Sequence, residues 1–134
     1  KPDAIDSHGS PIHLSQYQPK RVLINYWAQW CHACMMEMPD LIKLQRLYSD
    51  QVMVVGVNFD GEGDDYLNKF SAQYQINFPM TSRLPLEKVK LTMDLSAVPT
   101  TIVLAPDGHA EHIVRQPKRL SQWIKLLGLA PRSE

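Results

Sequence analysis

Two mostly apolar runs, Val22-Leu-Ile-Asn-Tyr26 and Val52-Met-Val-Val-Gly-Val57, are strand-sized; Lys20 and Arg21 precede the first, and Gln51 and Asn58 flank the second. Near-continuous apolar runs of this length suit central strands covered on both faces. A third run, Thr100-Thr-Ile-Val-Leu-Ala105, leads into Pro106-Asp-Gly108. That turn sequence sends the chain back through His109–Arg115 as an antiparallel hairpin. Between the first two runs the period changes. Cys34, Glu37, Leu41, Leu44 and Tyr48 alternate spacings of three and four, so they share one face of a helix predicted from about Cys31 to Tyr48. All but Glu37 suit a core. Pro39 lies inside the pattern and removes one helical hydrogen bond, so a kink is expected there.

The remaining elements follow the same logic. Tyr66, Leu67, Phe70 and Tyr74 predict a helix over Gly63–Gln75, and Leu120, Trp123, Ile124 and Leu127 predict another over Pro117–Leu127, ended by Gly128. Leu86–Leu95 reads as a short helix, and Asn77–Arg83 as a loop with an extended piece around Phe78. Ala4–Leu14 reads as a hairpin turning at Ser7–Ser10, followed by a helical turn at Leu14–Tyr17. The order is β-α-β-α, a further helix, then β-β-α. The first half requires a parallel crossover and the second is an antiparallel hairpin. The fold class is therefore α/β, one mixed-sheet domain over residues 1–134.

Composition narrows the function. A chain of 134 residues can bury enough surface to fold without a disulfide or metal. Hydrophobic residues make up 44%, a globular proportion. Fourteen basic residues balance fourteen acidic ones, which argues against nucleic acid or an anionic membrane as the main partner. Arg115, Lys118 and Arg119 cluster, but a solvated helix start accounts for them. No apolar run approaches the roughly 18 residues of a membrane span. The chain opens at Lys1 rather than a methionine, which is consistent with a removed signal or anchor segment.

The candidate chemistry lies in Cys31-His-Ala-Cys34, which holds both cysteines. C-x-x-C after a buried strand and at the opening of a helix reads as a redox pair. The spacing brings the sulfurs within disulfide reach. Cys31, at the helix N-terminus, gains from the free N–H groups and the dipole, so its thiolate is favoured and attacks first. Cys34, one turn deeper, would resolve the mixed disulfide. His32, as a cation, would favour the thiolate further and make the disulfide more oxidising. The bland alternative is a solvated histidine with little effect. Glu37 lies one turn beyond Cys34. If buried, its pKa should rise and it could take the Cys34 proton. If it snorkels outward at Pro39, it has no such role. Structural zinc typically needs four ligands from separated knuckles, and there is no second C-x-x-C, so no metal is expected. A cysteine hydrolase would need a placed histidine base, and none is evident. A structural staple is disfavoured because so short a loop contributes little.

With these residues assembled, the chain resembles the thioredoxin superfamily, and most of all its TlpA/ResA/DsbE-like branch of extracytoplasmic thiol–disulfide oxidoreductases. Tyr26-Trp-Ala-Gln-Trp-Cys-His-Ala-Cys34 matches the aromatic-W-A-x-W-C-x-x-C signature, and Val98-Pro-Thr-Thr101 matches the cis-proline loop. Asn25 stands where thioredoxins carry a buried aspartate and is expected, with His32, to tune the site. Glu37-Met-Pro39, the Ile5–Ser15 hairpin and the long Phe59–Leu95 segment also fit the branch. Ala33 departs from the usual proline, which bears on the direction of electron flow.

The resemblance implies a central mixed sheet flanked by helices, with an N-terminal β-hairpin and a helical insertion before the cis-Pro loop. It implies catalysis by Cys31, Cys34 and Glu37, with a substrate groove at Trp30, Val98, Pro99 and Thr100. A substrate segment would pair with the Val98 backbone as an added strand. The working group is the Cys31–Cys34 disulfide itself, with no separate cofactor. Implied partners are cysteine-containing proteins and a membrane thiol–disulfide donor of the DsbD/CcdA type, outside the cytoplasm. No uncovered apolar stripe stands out in the sequence, so the chain is read as a monomer. The reaction would be disulfide reduction, as in cytochrome c maturation. The alternative is the same motif run as an oxidase or isomerase. A non-catalytic binding module is a more distant reading, as is a peroxidase, for which a Pro-x-x-x-Thr-x-x-Cys signature is lacking.

Overall fold

A computed structural model describes residues 1–134. Two two-residue strands, β1 (Ala4–Ile5) and β2 (Pro11–Ile12), form an antiparallel hairpin, followed by a 3₁₀ turn at Leu14–Tyr17. The central elements are β3 (Arg21–Trp27), α1 (His32–Leu47), β4 (Val52–Asn58), α2 (Asp64–Tyr74) and β5 (Met80–Thr81). A 3₁₀ turn at Leu86–Val89, β6 (Thr100–Leu104), β7 (Ala110–Val114) and α3 (Leu120–Leu126) complete the chain. The main sheet has the order β5-β4-β3-β6-β7. β4 runs parallel to β3 and to β5, whereas β6 runs antiparallel to β3 and to β7.

β3 is central because both its faces are apolar. Leu23 and Trp27 pack with Leu41, Leu44, Phe70 and Trp123 beneath the helices. Val22, Ile24 and Tyr26 point to the other face, against Ile12, Leu14, Leu84 and Val89. The predicted α1 stripe is buried in full, Glu37 included. Burying Leu41 and Leu44 stabilises by about 1.5–3 kcal/mol each. α1 continues through Pro39.

Three predicted boundaries change. The helix expected over Leu86–Leu95 is only the 3₁₀ turn Leu86–Val89, and the backbone at Lys90 is left-handed (φ 57). Leu91 and Leu95 still pack against the core, without regular structure. The extended piece is at Met80–Thr81, not around Phe78, because pairing to Gly56 and Val57 selects it. α3 starts at Leu120 rather than Pro117, so the Arg115–Arg119 cluster precedes the helix.

Candidate active site

β3 delivers the chain to Ala28–Trp30, and Cys31 then caps α1 in an extended conformation. The Cys34 backbone N–H donates to Cys31 Sγ at 3.1 Å, an orphan donor of the first helical turn directed at sulfur. Cys31 and Cys34 are joined as a disulfide, with Cα atoms 5.2 Å apart. Cys31 keeps 7% of its surface and Cys34 only 2%, so the N-terminal cysteine is the more accessible of the two.

The Val98–Pro99 peptide bond is cis. The turn sets the Val98 carbonyl oxygen 3.7 Å from Cys31 Sγ. Thr100 is fully buried, and its hydroxyl donates to the Ala97 carbonyl at 2.8 Å, which tightens the turn. Its side chain therefore braces the loop from within. Trp30 is 67% exposed beside the disulfide, yet its ring is held. Its Nε1–H donates to the Asp60 carboxylate at 2.9 and 3.1 Å. Tyr66 donates its hydroxyl proton to Gln29 Oε1, a second tie between this turn and the α2 region. His32 is solvent-exposed on the first turn of α1.

Glu37 does not snorkel outward; it is 1% exposed. Asn25 Nδ2 donates to its Oε1 at 3.3 Å, and the Lys118 backbone N–H donates to its Oε2 at 2.7 Å. Burial pushes the carboxyl up to about 7 against these hydrogen bonds, which favour the anion; Asp40 adds a smaller upward push. A carboxyl poised there can accept and return a proton near neutral pH. Asn25 also donates to Thr101 Oγ1 at 2.9 Å.

The structure thus gathers Cys31, Cys34, Trp30, Val98 and Pro99 at one end of the sheet, with Glu37 and Asn25 buried behind them. Sequence reasoning missed Asp60, Thr101 and the Lys118 amide. Asp60 sits in a polar loop with no periodic signal. Lys118 acts through its backbone, which side-chain identity does not report. Thr101 belongs to the quoted cis-Pro signature, but its partner is visible only across the sheet. No group of three or more His, Cys, Asp or Glu side chains is placed to hold a metal ion. No helix is long and apolar enough to cross a membrane.

Comparison with known proteins agrees with this geometry. The chain is 32% identical over 107 residues to the thioredoxin-like protein YneN of Bacillus subtilis, covering 78% of this chain and 62% of the relative. It is 33% identical over 113 residues to the thiol-disulfide oxidoreductase ResA of Bacillus subtilis, covering 81% of this chain and 60% of the relative. It thus spans about three fifths of the length of these relatives. Among solved structures, a DsbF homologue from Corynebacterium diphtheriae superposes with a TM-score of 0.81 at 25% identity, covering 93% of this chain and 81% of that one. The AhpC/TSA family pattern matches residues 2–113, and the chain belongs to this thioredoxin-like family.

Proposed function

We propose that this chain is a thiol–disulfide oxidoreductase that reduces disulfides of selected proteins outside the cytoplasm. In the reduced chain, the Cys31 thiolate attacks one sulfur of a substrate disulfide. A mixed disulfide forms and the other substrate sulfur leaves as a thiolate. Glu37 accepts the proton of Cys34, and the Cys34 thiolate attacks Cys31 Sγ. The Cys31–Cys34 disulfide closes, the second substrate thiolate departs, and the substrate has gained two electrons.

The observation that carries this reading is the buried Glu37 carboxyl, one turn from Cys34 on the same face of α1 and held near neutrality in its pKa. The substrate groove is read at Trp30, with the Val98 backbone pairing the incoming strand and cis-Pro99 and Thr100 shaping the turn. The relatives named above support thiol–disulfide exchange. The extracytoplasmic role of the kind served in cytochrome c maturation, with re-reduction by a membrane donor of the DsbD/CcdA type, is read from the resemblance of Tyr26–Cys34 and Val98–Thr101 to the TlpA/ResA/DsbE-like branch. The chain is read as a monomer.

The test is the reduction potential of the Cys31–Cys34 couple, by equilibration with glutathione or dithiothreitol. The expected value lies at or below roughly −250 mV, on the thioredoxin side of the scale. A value near −120 mV, the strongly oxidising end, overturns the reductase assignment in favour of an oxidase or isomerase. Cys31→Ser is expected to abolish exchange.

A further inference from the structure

Asn25 lies on β3 directly opposite Thr101 on β6, and both side chains are buried, with exposures of 1%. An asparagine amide has two N–H donors. Here one goes to Thr101 Oγ1 at 2.9 Å and the other to Glu37 Oε1 at 3.3 Å. The second bond is at the long end of the useful range, and the χ2 torsion of asparagine is broad. Thr101 therefore supplies the contact that orients the amide. Thr101 is also two residues from cis-Pro99, on the strand whose entry turn lies against Cys31. A continuous run of side-chain hydrogen bonds thus joins the cis-Pro strand to the buried carboxyl.

We propose that Asn25 and Thr101 are positioning residues: Thr101 holds the Asn25 amide so that one N–H stays on Glu37, which ties the proton acceptor to the strand that meets the substrate. The catalytic consequence rests on the role given to Glu37 above; the positioning itself does not. The other groups bearing on Glu37 are Asp40 on its own helix, Cys34 one turn back, and the amide and ammonium of Lys118 from the loop before α3. None of these replaces an N–H withdrawn from Oε1. Losing Asn25 therefore disfavours the anion.

The test is direct titration of the Glu37 carboxyl carbon by ¹³C NMR in the oxidised protein, where neither cysteine titrates. Thr101→Val keeps the β-branched shape and removes the acceptor. It is expected to raise the Glu37 midpoint by roughly half to one pH unit, as for weakening one hydrogen bond to a carboxylate. Thr101→Ser should restore it. Asn25→Leu should raise it at least as far, and adding Thr101→Val to Asn25→Leu should raise it no further. An unmoved midpoint in a folded Thr101→Val protein overturns the proposal, as does failure of serine to restore it. If Thr101→Val does not fold, Thr101→Ala gives the same comparison. The pH profile of disulfide exchange separates the two readings. A shifted Glu37 midpoint with an unshifted profile upholds the positioning and removes Glu37 from the reaction.

Discussion

Glu37 leaves a signature in stability as well as in exchange chemistry. Folding takes a carboxyl with an ordinary pKa of 4.5 and holds it at about 7. Between those values the native chain keeps a proton that the unfolded chain has released. Stability from this group is therefore fully present below 4.5 and is lost as pH rises through 7. The loss is on the order of 3 kcal/mol. Glu37→Gln mimics the neutral form and removes the dependence. Urea unfolding of both oxidised proteins should show the variant gaining on the wild type by about that amount between pH 4.5 and 8. A pH-independent difference would show that the carboxyl is not desolvated. Much of this residue was legible in the sequence, because a lone acid on an otherwise apolar helical face is a misfit that asks for a reason. Its partners were not. Nothing in the order of residues says that the Lys118 amide, 81 positions away, reaches Oε2.

Helix α1 is fastened to the sheet by more than its apolar stripe. β5 pairs with β4 only at Gly56 and Val57, so the outer edge of β4 is open at Val52 and Val54. Gln45 closes it. Its Nε2 donates to the Val52 carbonyl at 3.0 Å, and its Oε1 accepts from the Val54 N–H at 2.7 Å. Both strand residues are fully buried, so water has no ready access once the side chain is removed. Gln45→Ala is expected to cost about 2–4 kcal/mol, measured as a lowered urea midpoint. Gln45→Glu keeps the acceptor for Val54 but sets oxygen against oxygen at Val52, so its deficit should shrink in acid, where a protonated carboxyl can donate. The same contrast between local and distant causes explains which elements the sequence revealed. β3, α1 and the β6–β7 hairpin follow from local pattern and turn chemistry. The edge pair Met80–Thr81 follows from a tertiary pairing. α3 starts late because Arg119 is extended (φ −81, ψ 163) and serves as its N-cap, leaving the Lys118 N–H in the preceding loop, where it meets Glu37. Leu86–Leu95 has apolar residues at helical spacing, yet packing uses them in an irregular segment.

Across the whole molecule, the redox couple and the fold are linked by a thermodynamic cycle. Whatever makes the native disulfide harder to reduce than that of the unfolded chain also makes the oxidised protein the more stable one. Each 30 mV corresponds to about 1.4 kcal/mol. The two cysteines are three positions apart, so loop entropy in the unfolded chain contributes little to the balance. The native surroundings decide it. A Cys31 thiolate would receive the Cys34 N–H, but Cys31 is 7% exposed and loses most of its water. Cys34 is sealed in the apolar cluster, one turn from a carboxyl that is half ionised near neutrality. His32 is exposed, and solvent screens any charge it carries. On this balance the dithiol form is expected to be less stabilised than the disulfide. The oxidised protein is therefore expected to unfold at a higher urea concentration than the reduced protein at pH 7, with equal m-values. Strongly oxidising members of this chemistry show the reverse, because their reduced form is the stabilised one. A reduced protein that outlasts the oxidised one in urea would mean that the Cys34 N–H and the helix end outweigh burial at Cys31, and electron flow through this chain would run from substrate to disulfide.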